Sequence, residues 1–162
     1  MTRNDPKLLP MLERRRIEAE ILGHVYETLK ASHGAELAEN AVADAVKASS
    51  IKQAQGMADD VGGNTSMQTF VDRQAQWTMG GALEIEVKEQ SDDVYRFNVT
   101  RCRYSEMYRE MGLGDIGHLL SCQRDGTFCE GYDTRLKLTR TQTIMQGAPH
   151  CDFCYRYEES QE

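Results

Sequence analysis

A change of hydrophobic period near residue 82 constrains this chain more than any other feature. Before it, apolar residues recur every three to five positions. Leu8, Met11, Leu12, Ile17, Ile21, Leu22, Val25 and Leu29 predict a helix over 7–31, with Pro10 in its first turn or just ahead. Residues 35–55 are alanine-rich around Leu37, Ala38, Ala41, Val42, Ala45 and Val46. They predict a second, closely packing helix that stops at Gly56. Gly62-Gly63-Asn64 reads as a loop, and Thr65 or Ser66 as the cap of a third helix over 67–79. Beyond residue 82 the period becomes two. Leu83, Ile85 and Val87 alternate over 82–89; Val94 or Tyr95, Phe97 and Val99 alternate over 94–100, with a turn between. Residues 103–131 return to helical character, broken around Gly112-Leu113-Gly114. Further strands are predicted over 135–145 and 150–157, either side of Gly147-Ala148-Pro149. The expected fold is α+β: a helical N-terminal half packed with an antiparallel sheet of about four strands, and a helix carrying Cys122 across one face. One domain is expected over 1–162, helical over 1–80, with sheet and thiols over 81–162.

The 162 residues suffice to bury a core without staples, and 40% hydrophobic against 28% charged is an ordinary balance. With 3 prolines, a proline-rich linker or collagen is excluded. No apolar run approaches the roughly 20 residues that span a bilayer. The opening MTRNDPKLLPMLERRR lacks the apolar stretch of a secretory signal. A cytoplasmic protein without membrane contact is therefore expected. Lys+Arg 19 against Asp+Glu 26 gives a net charge of −7, which argues against a general phosphate-backbone binder. Arg14-Arg15-Arg16 reads as a solvated helix face, so no nucleic-acid partner is expected.

All 5 cysteines, Cys102, Cys122, Cys129, Cys151 and Cys154, lie after residue 100. An odd number without a secretion signal argues against a disulfide framework and for buried thiols, metal ligands or catalysis. On a regular helix His118, Cys122, Asp125 and Cys129 fall within about 60° of one another. Ile116, Leu119 and Leu120 lie nearly opposite, so the helix is expected to bury an apolar face and a thiol-lined one. On a strand, Cys151, Phe153 and Tyr155 share one face, and His150, Asp152 and Cys154 the other. That spacing makes Cys151 and Cys154 a poor chelate and a poor redox pair.

Several motifs, taken in order, resemble one family. They are Val99-Thr100-Arg101-Cys102-Arg103-Tyr104, Met111-Gly112-Leu113, Cys122-x-x-Asp125, Leu138-Thr139-Arg140-Thr141 and Gly147-x-x-x-Cys151-Asp152-Phe153. Their order and spacing are similar to the L-2-amino-thiazoline-4-carboxylic acid hydrolase family across roughly 94–157. Arg15, Arg16 and Glu18 extend the likeness loosely into the helical half. One departure is Cys154, where family members usually carry Arg. The resemblance implies a hydrolase that opens a small carboxylate-bearing N-heterocycle (thiazoline, cyclic amidine or cyclic amide) by a cysteine-dependent mechanism. Such chemistry needs a nucleophile or activated water, a proton carrier and a cationic anchor.

Cys102, Cys122, Asp125 and Cys151 are the expected catalytic residues; Arg140, Tyr104, Phe153 and His118 are the expected substrate contacts. Cys129 and Cys154 are expected at the periphery. No organic cofactor is expected. A Zn²⁺ held by Cys102, Cys122 and Cys151 is the alternative to a metal-free thiol mechanism. Arg140 reads equally as carboxylate anchor or cross-strand ion pair. Two other classes stay open: a non-catalytic soft-metal or small-ligand binding module, and a thiol-based organometal lyase. The partner is a small-molecule substrate, and a homo-oligomer stays open.

Overall fold

The structure, a computed structural model, describes residues 9–159. Helices α1 (Met11–His33) and α2 (Ala35–Asp59) are separated by Gly34 alone. Its φ of 88° is a conformation open to glycine and strained for other residues. Pro10 stands immediately ahead of α1. Helix α3 (Met67–Thr78) starts on Ser66, whose hydroxyl accepts the Thr69 N–H while the Thr69 side chain accepts the Ser66 N–H. Helix α2 does not stop at Gly56. A glycine inside a helix costs only about 1 kcal/mol, and Ala54 and Met57 carry the buried face across it.

Strands β1 (Leu83–Gln90), β2 (Val94–Cys102), β3 (Leu136–Thr139) and β4 (Cys151–Tyr157) form one antiparallel sheet in the order β1-β2-β4-β3. On its inner face Tyr95, Phe97 and Val99 lie opposite Tyr155, Phe153 and Cys151. Aromatic rings join this face to the helices. Phe70 of α3 meets Tyr155 at 4.6 Å and Phe128 at 6.1 Å, and Phe128 meets Trp77 edge-on at 5.6 Å. Phe128 belongs to α5 (Gln123–Tyr132), which packs between β3 and α2. Between β2 and α5 run α4 (Arg103–Glu110) and a π-helical turn over His118–Cys122.

Two further expectations are corrected. Strand β3 ends at Thr139 rather than continuing to residue 145. The Asp152 carboxylate accepts the Thr141 and Gln142 N–H groups at 2.9 Å each, ending the ladder, and a 3₁₀ turn follows over Ile144–Gln146. The buried face of α1 is also not its apolar stripe. It consists of Met11, Arg15, Ala19, Gly23 and Tyr26, while Ile17 (57%), Ile21 (66%) and Val25 (42%) are exposed. Leu12, Leu22 and Leu29 are half-buried, and Leu8 lies outside the described residues. Small residues at four-residue spacing let α1 approach closely, and an ionic network described below draws Arg15 inward.

Helix α5 reaches α2 through Gly131. A Cβ there would meet the Ile51 carbonyl and lie 3.0 Å from the Ala54 Cβ. Gly131→Ala is expected to destabilise the protein by about 1–3 kcal/mol through overpacking. Urea unfolding checks this; an unchanged midpoint would show that the two helices can spread.

Candidate functional site

An irregularity in the hairpin decides where Cys102 points. Register runs Glu84↔Arg101 and then Ile85↔Val99, leaving Thr100 as an extra residue in β2. Thr100 and Arg101 both face solvent. Strict alternation from Val99 would send Cys102 to the outer face. The bulge returns it to the inner face, opposite Leu83. There the Cys102 Sγ accepts the Ser105 N–H at 3.4 Å at the start of α4, and the Ser105 hydroxyl donates to the Cys102 carbonyl at 2.7 Å.

Cys151 lies across from Val99, and its Sγ accepts the Ile144 N–H at 3.2 Å. Cys122 closes the π-helical turn and Asp125 follows in the first turn of α5. Arg140 enters from the end of β3. It donates to the Asp125 Oδ2 at 2.7 Å and to the Cys122 carbonyl at 3.0 Å, with its guanidinium 5.0 Å from the Phe153 ring centre.

Cys102, Cys122, Asp125 and Cys151 thus line one pocket, together with Arg140 and Phe153. Tyr104 joins them, its hydroxyl donating to the Trp77 carbonyl at 2.9 Å. The pocket contains about 510 Å³ of space not filled by atoms, counting its open mouth. His118 does not line it, contrary to the sequence expectation. A π turn fits an extra residue into each turn, which breaks the 100° spacing that aligned His118 with Cys122. Cys129 is buried, with its thiol donating to the Asp125 carbonyl at 3.5 Å, and neither it nor Cys154 lines the pocket.

Two arginines that line the pocket were not anticipated. Arg15 and Arg124 are 3% and 5% exposed, although the sequence places Arg15 in an apparently solvated run. Arg15 donates to both Glu18 oxygens at 3.1 and 2.9 Å and to the Gln53 Oε1 at 3.1 Å. Arg124 donates to the Glu18 Oε2 at 3.2 Å and to the Leu120 carbonyl at 3.1 Å. The spacing of Arg15 with Met11, Ala19 and Gly23 was the signal that marked it as inward-facing. Ser121 also lines the pocket and shares a 2.6 Å hydrogen bond with the Tyr108 hydroxyl.

Burial governs the thiols. It pushes Cys122, with help from Asp125 and against Arg140, up to about 12. It pushes Cys151 up to about 11, against the Ile144 N–H. Cys102 is also raised by burial, against the Ser105 contact. Burial raises the Asp125 carboxyl too, opposed by Arg140. Glu18 moves the other way: burial alone would raise it, but Arg15, Arg124 and Arg14 outweigh that and hold it low. Arg124 is pulled down to about 10 by burial and by Arg15, so it stays charged at neutral pH.

Among the described residues no group of three or more His, Cys, Asp and Glu is arranged to hold a metal ion, so the three-cysteine zinc set draws no support from the geometry. Nor is any described helix long and apolar enough to cross a membrane.

The fold and site define an α+β domain in which helices back one face of an antiparallel sheet and a small thiol-lined pocket opens between them. The chain belongs to the L-2-amino-thiazoline-4-carboxylic acid hydrolase family, whose model matches residues 14–155. No curated protein sequence matches it. Solved structures that share the fold include two of low identity. One is the phenol-responsive sensory domain of the transcription activator PoxR with phenol, 15% identical, with a TM-score of 0.50 over 88% of this chain and 75% of that one. The other is a trafficking protein particle complex subunit 3 from Naegleria fowleri covalently bound to palmitic acid, 11% identical, with a TM-score of 0.51 over 92% of this chain and 98% of that one.

Because the thiolate is the reactive form, alkylation of native Cys122 and Cys151 by iodoacetamide is expected to be slow at pH 7. It should rise about tenfold per pH unit toward about 12 and about 11 respectively. Peptide mass spectrometry against unfolded protein checks this. Equal labelling of folded and unfolded chains at pH 7 would show that burial does not govern these thiols.

Proposed function

We propose that the protein is a hydrolase that opens a small carboxylate-bearing N-heterocycle, a thiazoline in the first instance, by a cysteine-dependent reaction in this pocket. The observation that carries the reading is the convergence of Cys102, Cys122 and Cys151 on the Asp125–Arg140 pair, in a chain that belongs to this family. Cys102 is the proposed nucleophile. Its Sγ already accepts an N–H at the start of a helix, a contact that favours the thiolate. Asp125, oriented by Arg140, takes the thiol proton.

The steps balance without an oxidant or reductant. The Cys102 Sγ attacks the amidine-like carbon between the ring nitrogen and sulfur. The ring C–S bond breaks, and the proton held by Asp125 goes to the departing sulfur. Water then adds to the same carbon, the Sγ–C bond breaks, and the Cys102 sulfur recovers a proton. The product is an N-carbamoyl compound carrying a free thiol. Tyr104, Phe153 and Trp77 wall the ring on its apolar sides.

A second reading, a small-ligand binding module without turnover, draws on the same pocket. All three of its thiols are held protonated, and one structure of the same fold is described as a sensory domain with phenol.

The test is incubation with 2-amino-thiazoline-4-carboxylate, followed by NMR and by titration of released thiol. Cys102→Ser is expected to lower the rate at least about a hundredfold, because Ser is a far weaker nucleophile at neutral pH. Asp125→Asn is expected to cost about 10²–10⁴-fold. Undiminished turnover with Cys102, Cys122 and Cys151 all replaced by Ser would contradict the cysteine mechanism. Binding without turnover in the unaltered protein would favour the second reading.

A further inference from the structure

We infer that Arg124, not Arg140, anchors the carboxylate of the bound ligand, through its buried Nη1 and with Arg15 supplying a second positive charge; the carboxylate-bearing ligand itself rests on the function proposed above. Arg140 is already engaged: Nη1 holds Asp125 and Nη2 holds the Cys122 carbonyl. Arg124 is not. Its Nε and Nη2 are bound, but Nη1 is buried and has no hydrogen-bond partner among the described residues. A buried guanidinium N–H left unpaired costs the desolvation of a charged donor. Arg124 lines the pocket, and a carboxylate entering there would supply the missing acceptor.

The charge count points the same way. Arg15 and Arg124, both nearly inaccessible, share one carboxylate, Glu18, which also pairs with the half-exposed Arg14. Asp125 and Arg140 neutralise each other. The interior around the pocket therefore carries an excess of positive charge, within a chain whose net charge is −7. A monoanion fits that excess; a neutral ring does not. Arg15 is a positioning residue. It spends its donors on Glu18 and Gln53, and so holds the carboxylate that steers Arg124.

The experiment is calorimetric titration with 2-aminothiazole-4-carboxylate, an aromatic ring that does not open, and with the matching carboxamide. The unaltered protein is expected to bind the acid at least about tenfold more tightly than the amide. Arg124→Met should abolish that preference by weakening the acid alone. Arg124→Lys keeps a charge inside and serves if the first variant does not fold by circular dichroism; it should weaken the acid about tenfold and leave the amide unchanged. Equal binding of acid and amide by the unaltered protein, or an acid preference intact in the Arg124 variants, would overturn the inference. Acid preference that depends on Arg124 in a protein that opens no ring would leave the anchor standing and the hydrolase reading refuted. Ring opening with no acid preference would do the reverse.

Discussion

Two buried guanidiniums on one half-buried carboxylate organise this molecule. Glu18 of α1 joins Arg15 on its own helix to Arg124 of α5, residues separated by most of the chain. Charges of this kind are stable inside a protein only when paired and hydrogen-bonded. The network therefore fixes how α1 is rotated, and with it which residues of α1 meet the core. It explains why Ile17, Ile21 and Val25 stand in solvent while an arginine is nearly inaccessible. Around the cluster, the Ser50 hydroxyl donates to the Arg124 carbonyl at 3.1 Å and the Gln123 amide to the Ala43 carbonyl at 2.6 Å, fastening α5 to α2. The first turn of α5, which carries Arg124 and Asp125, is thereby held from two sides.

The sheet supplies the other half of the site. Its inner face is aromatic where Tyr95 and Phe97 pair with Tyr155 and Phe153, and gives way to thiols at the next pair, where Val99 faces Cys151 and the bulge turns Cys102 inward. Arg140 closes the gap between sheet and helix. A cation stacked on Phe153 and bound to Asp125 keeps a carboxylate beside thiols that would otherwise lie in an apolar cavity. Such a pocket holds its thiols protonated at rest, so any nucleophile must be generated within the complex by a nearby base.

Much of this was legible in the sequence. The change of period at residue 82 gives the α+β class, the hairpin and the final strand, and the Thr65-Ser66 pair marks the start of α3, where Ser66 is the cap. The cysteine motifs converge as their order implied. What escaped has particular causes. Helical periodicity places His118 with Cys122, but a π turn is not written in hydrophobic spacing. The sequence places Cys102 in the site, but the means, an extra residue at Thr100 that turns it inward, shows only in the pairing with β1. Apolar patterning fails on α1 because an ionic cluster outweighs it. The small residues Ala19 and Gly23, at four-residue spacing from Arg15, were the available sign. Asp152, read only as a strand residue, caps the turn that ends β3 and delivers Arg140 to Asp125.

The central claim is that one pocket both orients a small acid and presents a thiol to it. A crystal structure of the Cys102→Ser protein with 2-amino-thiazoline-4-carboxylate tests this most directly. The account predicts the ring in the pocket between Phe153 and Tyr104, its carboxylate on the Arg124 Nη1, and its amidine carbon about 3–3.5 Å from the residue 102 oxygen. A ligand bound outside this pocket, or one whose ring carbon lies beyond reach of residues 102, 122 and 151, would contradict it.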